Sequence, residues 1–186
     1  MQIERFSIDG PFAFTNTRFA DERGYFEETF NSTKLQAEGL PQLQWMQDNE
    51  SHSILPYTLR GLHFQLQPMA QAKIIRVLQG RIFDVAVNLI PGSAHFAQWV
   101  AVELSRENAK VFYVPEGFAH GFLTLEPNTR VAYKASNTYS KVQERCLSWR
   151  DTEINIDWPL PKGVSPIVSE KDGTGSNLSK LMPELC

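Results

Sequence analysis

Residues 72–90 read AKIIRVLQGRIFDVAVNLI, two apolar, β-branched runs that meet at Gly80. In the second run, every other residue from Phe83 to Leu89 is apolar. A period of two with Val and Ile at its centre predicts a strand with one packed face. Gln79 and Gly80 between the two runs are typical of a β-hairpin turn.

Further strand-like runs follow towards the C-terminus. They are FAQWVAVEL at 96–104, VFYV at 111–114, HGFLTLE at 120–126 and TRVAYKAS at 129–136. Short strands separated by turn residues are typical of a β-sandwich or barrel. Helix signals are few: we expect one short helix within 32–40 with a Ser or Thr N-cap, and mostly loops with a single helical turn in 151–186. No linker divides the chain, so residues 1–186 are expected to form one domain.

Composition excludes several classes of protein. Eighteen basic and 21 acidic residues give a net charge of −3, which argues against nucleic-acid binding through bulk charge. No apolar run is long enough to span a membrane, and the N-terminus has no secretory signal pattern. Cys146 and Cys186 form neither a CxxC motif nor a zinc-ligand spacing. We therefore expect a cytoplasmic protein with free thiols.

The densest cluster of chemically useful residues is RGLHFQ at 60–65. On a regular strand, Gly61, His63 and Gln65 share one face, and Arg60 lies on the other. His63 and Gln65, the polar residues on the first face, could line a cavity. The alternative interpretation is that these residues lie on a strand face exposed to solvent, where histidine is common.

A second histidine lies in PEGFAHG at 115–121, which resembles the second metal-binding motif of the cupins, small double-sheet barrels. The first cupin motif is altered: His63 can serve as its first histidine, but Gln65 replaces the second and Lys73 replaces the glutamate seven residues before Gly80. An ammonium repels a divalent cation and an amide is a poor substitute for imidazole. We expect a barrel without a bound metal, whose interior holds two histidines and a lysine and favours an anion.

A wider set of motifs resembles the dTDP-4-dehydrorhamnose 3,5-epimerase family, deoxysugar epimerases of cupin fold. The matching stretches are DERGYFEE at 21–28, QDN at 47–49, RGLHFQ at 60–65, KIIRVLQGRIFDVAVNL at 73–89, ELSREN at 103–108, PEGFAHGF at 115–122, VAYKASNTY at 131–139, Glu144 and SEKD at 169–172. Their order and spacing cover most of the chain. The resemblance implies a mainly β, cupin-type double-stranded β-helix (jelly-roll) barrel with a few short helices.

The resemblance also implies a reaction. Family members invert carbons 3 and 5 of dTDP-4-dehydro-6-deoxyglucose to give dTDP-4-dehydro-L-rhamnose, in the deoxysugar and rhamnose biosynthesis that supplies cell-surface polysaccharides such as lipopolysaccharide. Both carbons flank a ketone, so their hydrogens are acidic and an enolate can form. The chemistry needs a base on one face of the sugar, an acid on the other and a positive group at the carbonyl oxygen. It needs no metal and no redox cofactor.

By the same resemblance, four residues carry the catalysis. His63 is the base, and Asp172 fixes its tautomer. Tyr133 is the acid, since a phenol with a pKa near 10 stays protonated. Lys73 is the candidate for stabilising the enolate.

Nine other residues are implied to bind the substrate. Arg23 and Glu28 match an N-terminal stretch that the family often supplies from the other subunit, which implies a homodimer with exchanged N-terminal strands. Arg60 matches an arginine that binds the diphosphate, and Tyr139 an aromatic that stacks on thymine. The remaining contacts to the sugar nucleotide are Gln47, Asn49, His120, Glu144 and Lys171.

Four residues depart from the usual family pattern: Asn88, Glu50, Ser140 and Cys146. The sequence therefore leaves open a single-site 3- or 5-epimerase, or a 3,4-ketoisomerase acting on a related sugar nucleotide. Two rivals of other classes also stay open: a metal-dependent cupin, such as a dioxygenase or isomerase, and a non-catalytic sugar-nucleotide-binding or cell-wall assembly protein.

Overall fold

Strands dominate the chain. The computed structural model describes residues 1–185, so Cys186, where we expect a second free thiol, lies outside them. The first strands are β1 (Gln2–Arg5), β2 (Phe12–Thr15), β3 (Arg18–Asp21), β4 (Gly24–Glu27) and β5 (Gln47–Ser53). They are followed by β6 (Leu59–Gln65), β7 (Lys73–Gln79), β8 (Arg81–Asn88), β9 (Trp99–Ser105), β10 (Lys110–Val114), β11 (Phe118–Thr124), β12 (Thr129–Ala135) and β13 (Glu144–Cys146). The helices are α1 (Ser32–Ala37), α2 (Glu170–Gly173) and α3 (Leu178–Leu185).

Two antiparallel sheets face each other. One has the strand order β1-β2-β10-β7-β12-β5, the other β13-β6-β11-β8-β9, and β3 and β4 form a separate two-stranded ribbon. From β5 to β13 the chain passes from one sheet to the other at every step except the β8–β9 hairpin. This alternation is the jelly-roll connectivity, and it confirms the expected cupin-type barrel.

The turn at Gln79-Gly80 is not a β-hairpin. β7 pairs with β10 and β12, whereas β8 pairs with β11 and β9, so the turn carries the chain between sheets. The turn residues predict a reversal of direction correctly. They do not specify which sheet the next strand joins, because that depends on what covers each face of the strand.

Both faces of β8 are packed against other parts of the chain, whereas the sequence pattern predicts that only one face is packed. Ile82 and Ala86 belong to the apolar cluster between the sheets. Val85, on the other face, belongs to a second cluster that includes Trp158 and Leu178 of the C-terminal segment. That segment contains the eight-residue α3, whereas we expect a single helical turn there.

The helices are short, and α1 and α3 pack on the outside of the barrel. α1 lies within the expected range, but its N-cap is Asn31, whose side chain accepts a hydrogen bond from the Lys34 amide at 3.1 Å, and not the expected Ser or Thr. Its buried Leu35 belongs to the cluster that contains Ile74 of β7. Over residues 1–185, no helix has the length and apolar character needed to cross a membrane.

Candidate active site

Two cavities inside the barrel share three lining residues: His63 on β6, Lys73 on β7 and Tyr133 on β12. The larger has a volume of about 260 Å³. The other site residues that the sequence predicts and that line one or both cavities are Gln47, Asn49, Arg60, His120, Tyr139, Glu144, Lys171 and Asp172. The structure therefore brings together every predicted site residue except Arg23 and Glu28.

His63 and Asp172 form a hydrogen-bonded pair. Nε2 of His63 lies 2.6 Å from Oδ1 of Asp172, which is buried in α2. The N-cap hydroxyl of Ser169 accepts a hydrogen bond from the Asp172 amide and so fixes the start of this helix. Burial acts to raise the pKa of Asp172, but the hydrogen bond and charge of His63, together with hydrogen bonds from Ser169 and the Gly61 backbone, outweigh it, and the pKa lies below its usual value. Because the carboxylate is ionised, Nε2 carries the proton and Nδ1 is the nitrogen left to accept one.

Arg60 lines the same cavity as His63, contrary to the alternation expected of a regular strand. His63 is paired with His120 and Arg60 with Phe122, so β6 uses three steps where β11 uses two. This bulge turns both side chains to the same face. Gly61 within it has a φ of +116°, and a Cβ there would lie 2.7 Å from the Cα of Gly121.

Lys73 is buried among charged groups. Its Nζ donates a hydrogen bond to the carbonyl oxygen of His63 at 3.2 Å. Burial lowers the pKa of Lys73 to about 8, although Asp84 and Glu144 act in the opposite direction. An ammonium held in so dry a place interacts strongly with any anion that enters the cavity.

Asp84 is a residue that the sequence analysis missed. It is fully buried on β8, and its Oδ1 lies 2.7 Å from Nε2 of His120. Burial lowers the pKa of His120 despite the opposing effect of Asp84, so the imidazole is neutral and donates to the carboxylate. Within residues 1–185, Oδ2 of Asp84 has no hydrogen-bond partner. A single carboxylate inside the apolar run 81–90 is the signal that could have identified it.

Tyr133 faces His63 from the opposite wall. Tyr133 is on β12 of the six-stranded sheet, whereas His63 is on β6 of the five-stranded sheet. Burial raises the pKa of Tyr133, so its phenol keeps its proton at neutral pH. An acceptor and a donor of protons therefore lie across the cavity from each other.

The rim of the site is held by side-chain amides. Gln65, which stands at the position of a cupin metal ligand, accepts a hydrogen bond from the Ser140 amide at 2.7 Å and donates one to the Thr138 carbonyl at 3.2 Å. Gln47 accepts one from the amide of Tyr139 at 2.9 Å. The phenol of Tyr139 donates to Glu144, which also pairs with Lys171. These contacts fix the loop that carries Tyr139 at the mouth of the cavity.

Arg23 and Glu28 lie outside both cavities. Arg23 is at the turn of the β3–β4 ribbon, where its exposed guanidinium pairs with Asp21. Glu28 pairs with Lys34 of α1 at 2.8 Å. This chain's own fold does not bring either residue to either cavity.

Three of the residues that depart from the family pattern have structural contacts of their own. Asn88 bonds the Ser93 hydroxyl and the Ile90 amide, within the turn after β8. Glu50 pairs with Arg130 at 3.5 Å on the outer face of the six-stranded sheet. Ser140 is held by Gln65, as described above. Cys146 differs from them, because it lies directly opposite His63 in the β13–β6 pairing.

The model of the family described as dTDP-4-dehydrorhamnose 3,5-epimerase matches residues 5–180. The chain belongs to this family. An epimerase of that name from Methanothermobacter thermautotrophicus is 46% identical over 166 residues, which are 89% of this chain and 88% of the relative.

Solved structures of epimerases share the fold. A dTDP-6-deoxy-D-glucose-3,5-epimerase from Legionella pneumophila, in complex with dTDP-4-keto-L-rhamnose, is 38% identical with a TM-score of 0.92, and the alignment covers 99% of this chain and 96% of that one. A 3'-monoepimerase from Streptomyces bikiniensis, in complex with dTDP-quinovose, is 26% identical with a TM-score of 0.89, over 98% and 91% of the two chains. The epimerase fold thus occurs with inversion at one carbon as well as at two.

Proposed function

We propose that this protein is a dTDP-4-dehydrorhamnose 3,5-epimerase, which inverts carbons 3 and 5 of dTDP-4-dehydro-6-deoxyglucose. The observation that carries the proposal is the placement of His63 and Tyr133 on opposite walls of one cavity. Inversion next to a ketone requires that a proton leave one face of the sugar and that another arrive on the opposite face. A protein that only bound the sugar nucleotide would have no use for this arrangement.

Each polar group of the cavity then has a role. Nδ1 of His63 removes the proton from the carbon next to the ketone, while Asp172 holds the ring and stabilises the imidazolium that forms. The enolate oxygen is stabilised by the ammonium of Lys73. Tyr133 donates its proton to the opposite face of the carbanion. The imidazolium and the phenolate then exchange their protons with solvent, which restores both groups.

The nucleotide is bound by local positive charge, because a net charge of −3 cannot attract a diphosphate. Arg60 reaches the cavity through the bulge in β6 and contacts the diphosphate, and Lys171 adds a second cation at the rim. Tyr139, whose surface is 54% exposed at the cavity mouth, stacks on the thymine ring. Gln47 and Asn49 supply polar contacts to the nucleotide, and His120 and Glu144 contact the substrate.

The active form that we propose is a cytoplasmic homodimer of single-domain chains. The β3–β4 ribbon belongs to neither large sheet, and its cross-strand pair Phe19 and Phe26 is 62% and 70% exposed. Docking of this ribbon on the partner would bury these rings and bring Arg23 and Glu28 to the partner's cavity. Neither Arg23 nor Glu28 lines the cavity of its own chain, which supports the proposal that both act in the cavity of the partner.

Incubation with dTDP-4-dehydro-6-deoxyglucose in deuterated water, followed by NMR, tests the function. We expect deuterium at carbons 3 and 5 together with an inverted product. Deuterium and inversion at one carbon would instead establish a single-site epimerase, which the likeness to the 3'-monoepimerase favours as the second candidate. A 3-keto product would identify a 3,4-ketoisomerase, and binding without exchange would contradict any enzymatic role. Activity that EDTA abolishes would indicate a metal-dependent cupin.

A further inference from the structure

Cys146 completes a group of three side chains that are suited to a metal ion. One ligand atom from each of His63, Cys146 and Asp172 lies within 4.8 Å of the other two. Cys146 is brought there by β13, which places it directly opposite His63, and Asp172 is brought there by α2. The three residues thus come from three separate elements that converge on the His63 ring.

We propose that these three side chains form an inhibitory site for Zn²⁺. A thiolate, an imidazole and a carboxylate are the ligand types that Zn²⁺ prefers, at roughly 2.0–2.3 Å from the ion. Ligand atoms around a tetrahedral ion lie about 3–4 Å apart at those bond lengths. The present separations need only small side-chain movements to reach that geometry. Water would complete the fourth position.

This site differs from the metal position of the cupins. In that position Lys73 replaces a ligand, and its ammonium would repel an ion. The proposed site lies on the other side of the imidazole, at Nε2, where Asp172 already binds. The ammonium of Lys73 donates a hydrogen bond to the backbone carbonyl of His63, and Lys171, which precedes Asp172, is the cation that acts on the thiol of Cys146. These two charges limit the affinity for a cation, so binding is reversible and a chelator removes the ion.

Binding has a defined proton balance. Burial, together with the charge of Asp172, raises the pKa of Cys146 to about 11, so the thiol is protonated before the ion arrives. Zn²⁺ displaces this proton to solvent and binds the thiolate. It also takes the place of the proton between His63 and Asp172, and that proton moves from Nε2 to Nδ1. The ring stays neutral, but Nδ1 can no longer accept a proton from a substrate.

Inhibition rests on the proposed function, whereas binding does not. Co²⁺ is therefore the first probe, because its bond to a thiolate gives a charge-transfer absorption that can be measured without substrate. We expect this absorption in the wild-type protein, its loss when Zn²⁺ is added, and its absence in Cys146→Ser. Cys186→Ser is the matched control and should keep it. Cys146→Ala serves as a second variant, with circular dichroism to check folding.

The second measurement is turnover at increasing free Zn²⁺. Cys146→Ser should keep the basal rate and need at least about tenfold more Zn²⁺ for half inhibition, since loss of one ligand weakens a metal site strongly. Absence of the Co²⁺ band in the wild type, an unchanged band in folded Cys146→Ala, or equal Zn²⁺ sensitivity of all variants would each overturn the proposal. A Co²⁺ band in a protein that has no epimerase activity would contradict the proposed function and leave the metal site in place.

Discussion

At the scale of single residues, the proposed role of Tyr133 as the acid can be tested separately from proton removal by His63. Tyr133→Phe removes only the hydroxyl, so the packing of the ring should survive. We expect exchange of substrate protons with deuterated solvent to continue, because His63 can still remove and return protons on its own face. Inverted product should fall by roughly 10²-fold or more, the usual contribution of a positioned acid. NMR of one reaction mixture measures both.

Tyr113 provides the control for this substitution. It is buried in the apolar cluster outside the six-stranded sheet, and burial raises the pKa of its phenol as well. Tyr113→Phe should leave both exchange and inversion unchanged. If Tyr133→Phe loses exchange and inversion in parallel, Tyr133 positions the substrate and does not act as the acid.

Arg60 is expected to act on binding more than on chemistry. Arg60→Ala should raise KM for the sugar nucleotide about ten- to a hundredfold, because a charge-assisted contact is worth about 1.5–3 kcal/mol. The turnover number should change far less. Arg130→Ala is the control, since Arg130 is exposed and pairs with Glu50 on the outer face of the sheet. An unchanged KM in Arg60→Ala would show that the diphosphate is bound by other residues.

At the scale of elements, the bulge in β6 is what places Arg60 beside His63. Gly61→Ala adds a Cβ that would meet the backbone of β11 and forces alanine into a positive φ. The free energy of unfolding should fall by at least about 1–3 kcal/mol, as measured by urea denaturation. Gly163→Ala gives the cost of positive φ alone, because its φ is +81° and nothing lies within 4 Å of the added Cβ. Equal losses in the two variants would mean that close packing at Gly61 does not matter.

The strands themselves follow from local pattern. The alternation of Val and Ile in 72–90 predicts β7 and β8 to within two residues. The sheet that each strand joins is not local information, so the turn at Gly80 is misread as a hairpin. The bulge is equally hidden, because an inserted residue changes the face of Arg60 without changing the residue types. α3 is missed because Leu178 and Leu181 show their spacing only once the outer face of β8 is known to need covering.

The site could be predicted for a different reason. Eleven of the site residues that the family motifs predict line the cavities, although residue types alone would favour a solvent-exposed strand surface for His63. Asp84 is not predicted from the sequence, because its role depends on a contact with His120 on the neighbouring strand. Arg23 and Glu28 lie away from the cavity because one chain does not contain the surface on which they are proposed to act.

At the scale of the whole molecule, the proposed homodimer makes each site depend on two chains. At a substrate concentration well below KM, His63→Ala and Arg23→Ala should each be nearly inactive alone. When the two are coexpressed in equal amounts, half of the dimers are mixed and each mixed dimer has one intact site, so about a quarter of wild-type activity should return. His63→Ala coexpressed with Tyr133→Phe is the control, since both residues belong to the cavity of one chain and no activity should return.

Light scattering gives an independent measure of this assembly. Phe19→Asp places a charge on the exposed apolar face of the ribbon and should convert the dimer to monomers with little activity. Val142→Asp, on an exposed loop residue, serves as the control. A fully active monomer at micromolar concentration would contradict the dimer.

The separation of His63 and Asp172 along the chain has a consequence for the synthesis of the protein. His63 and Asp172 are 109 residues apart, and the strands between them alternate between the two sheets, so few of their contacts are local. Such topologies fold slowly, because long segments must come together before their contacts stabilise them. During synthesis on the ribosome, most of the barrel strands emerge well before α2. The imidazole therefore stays without its carboxylate until residue 172 has been made, and a shorter nascent chain cannot form the His63–Asp172 pair.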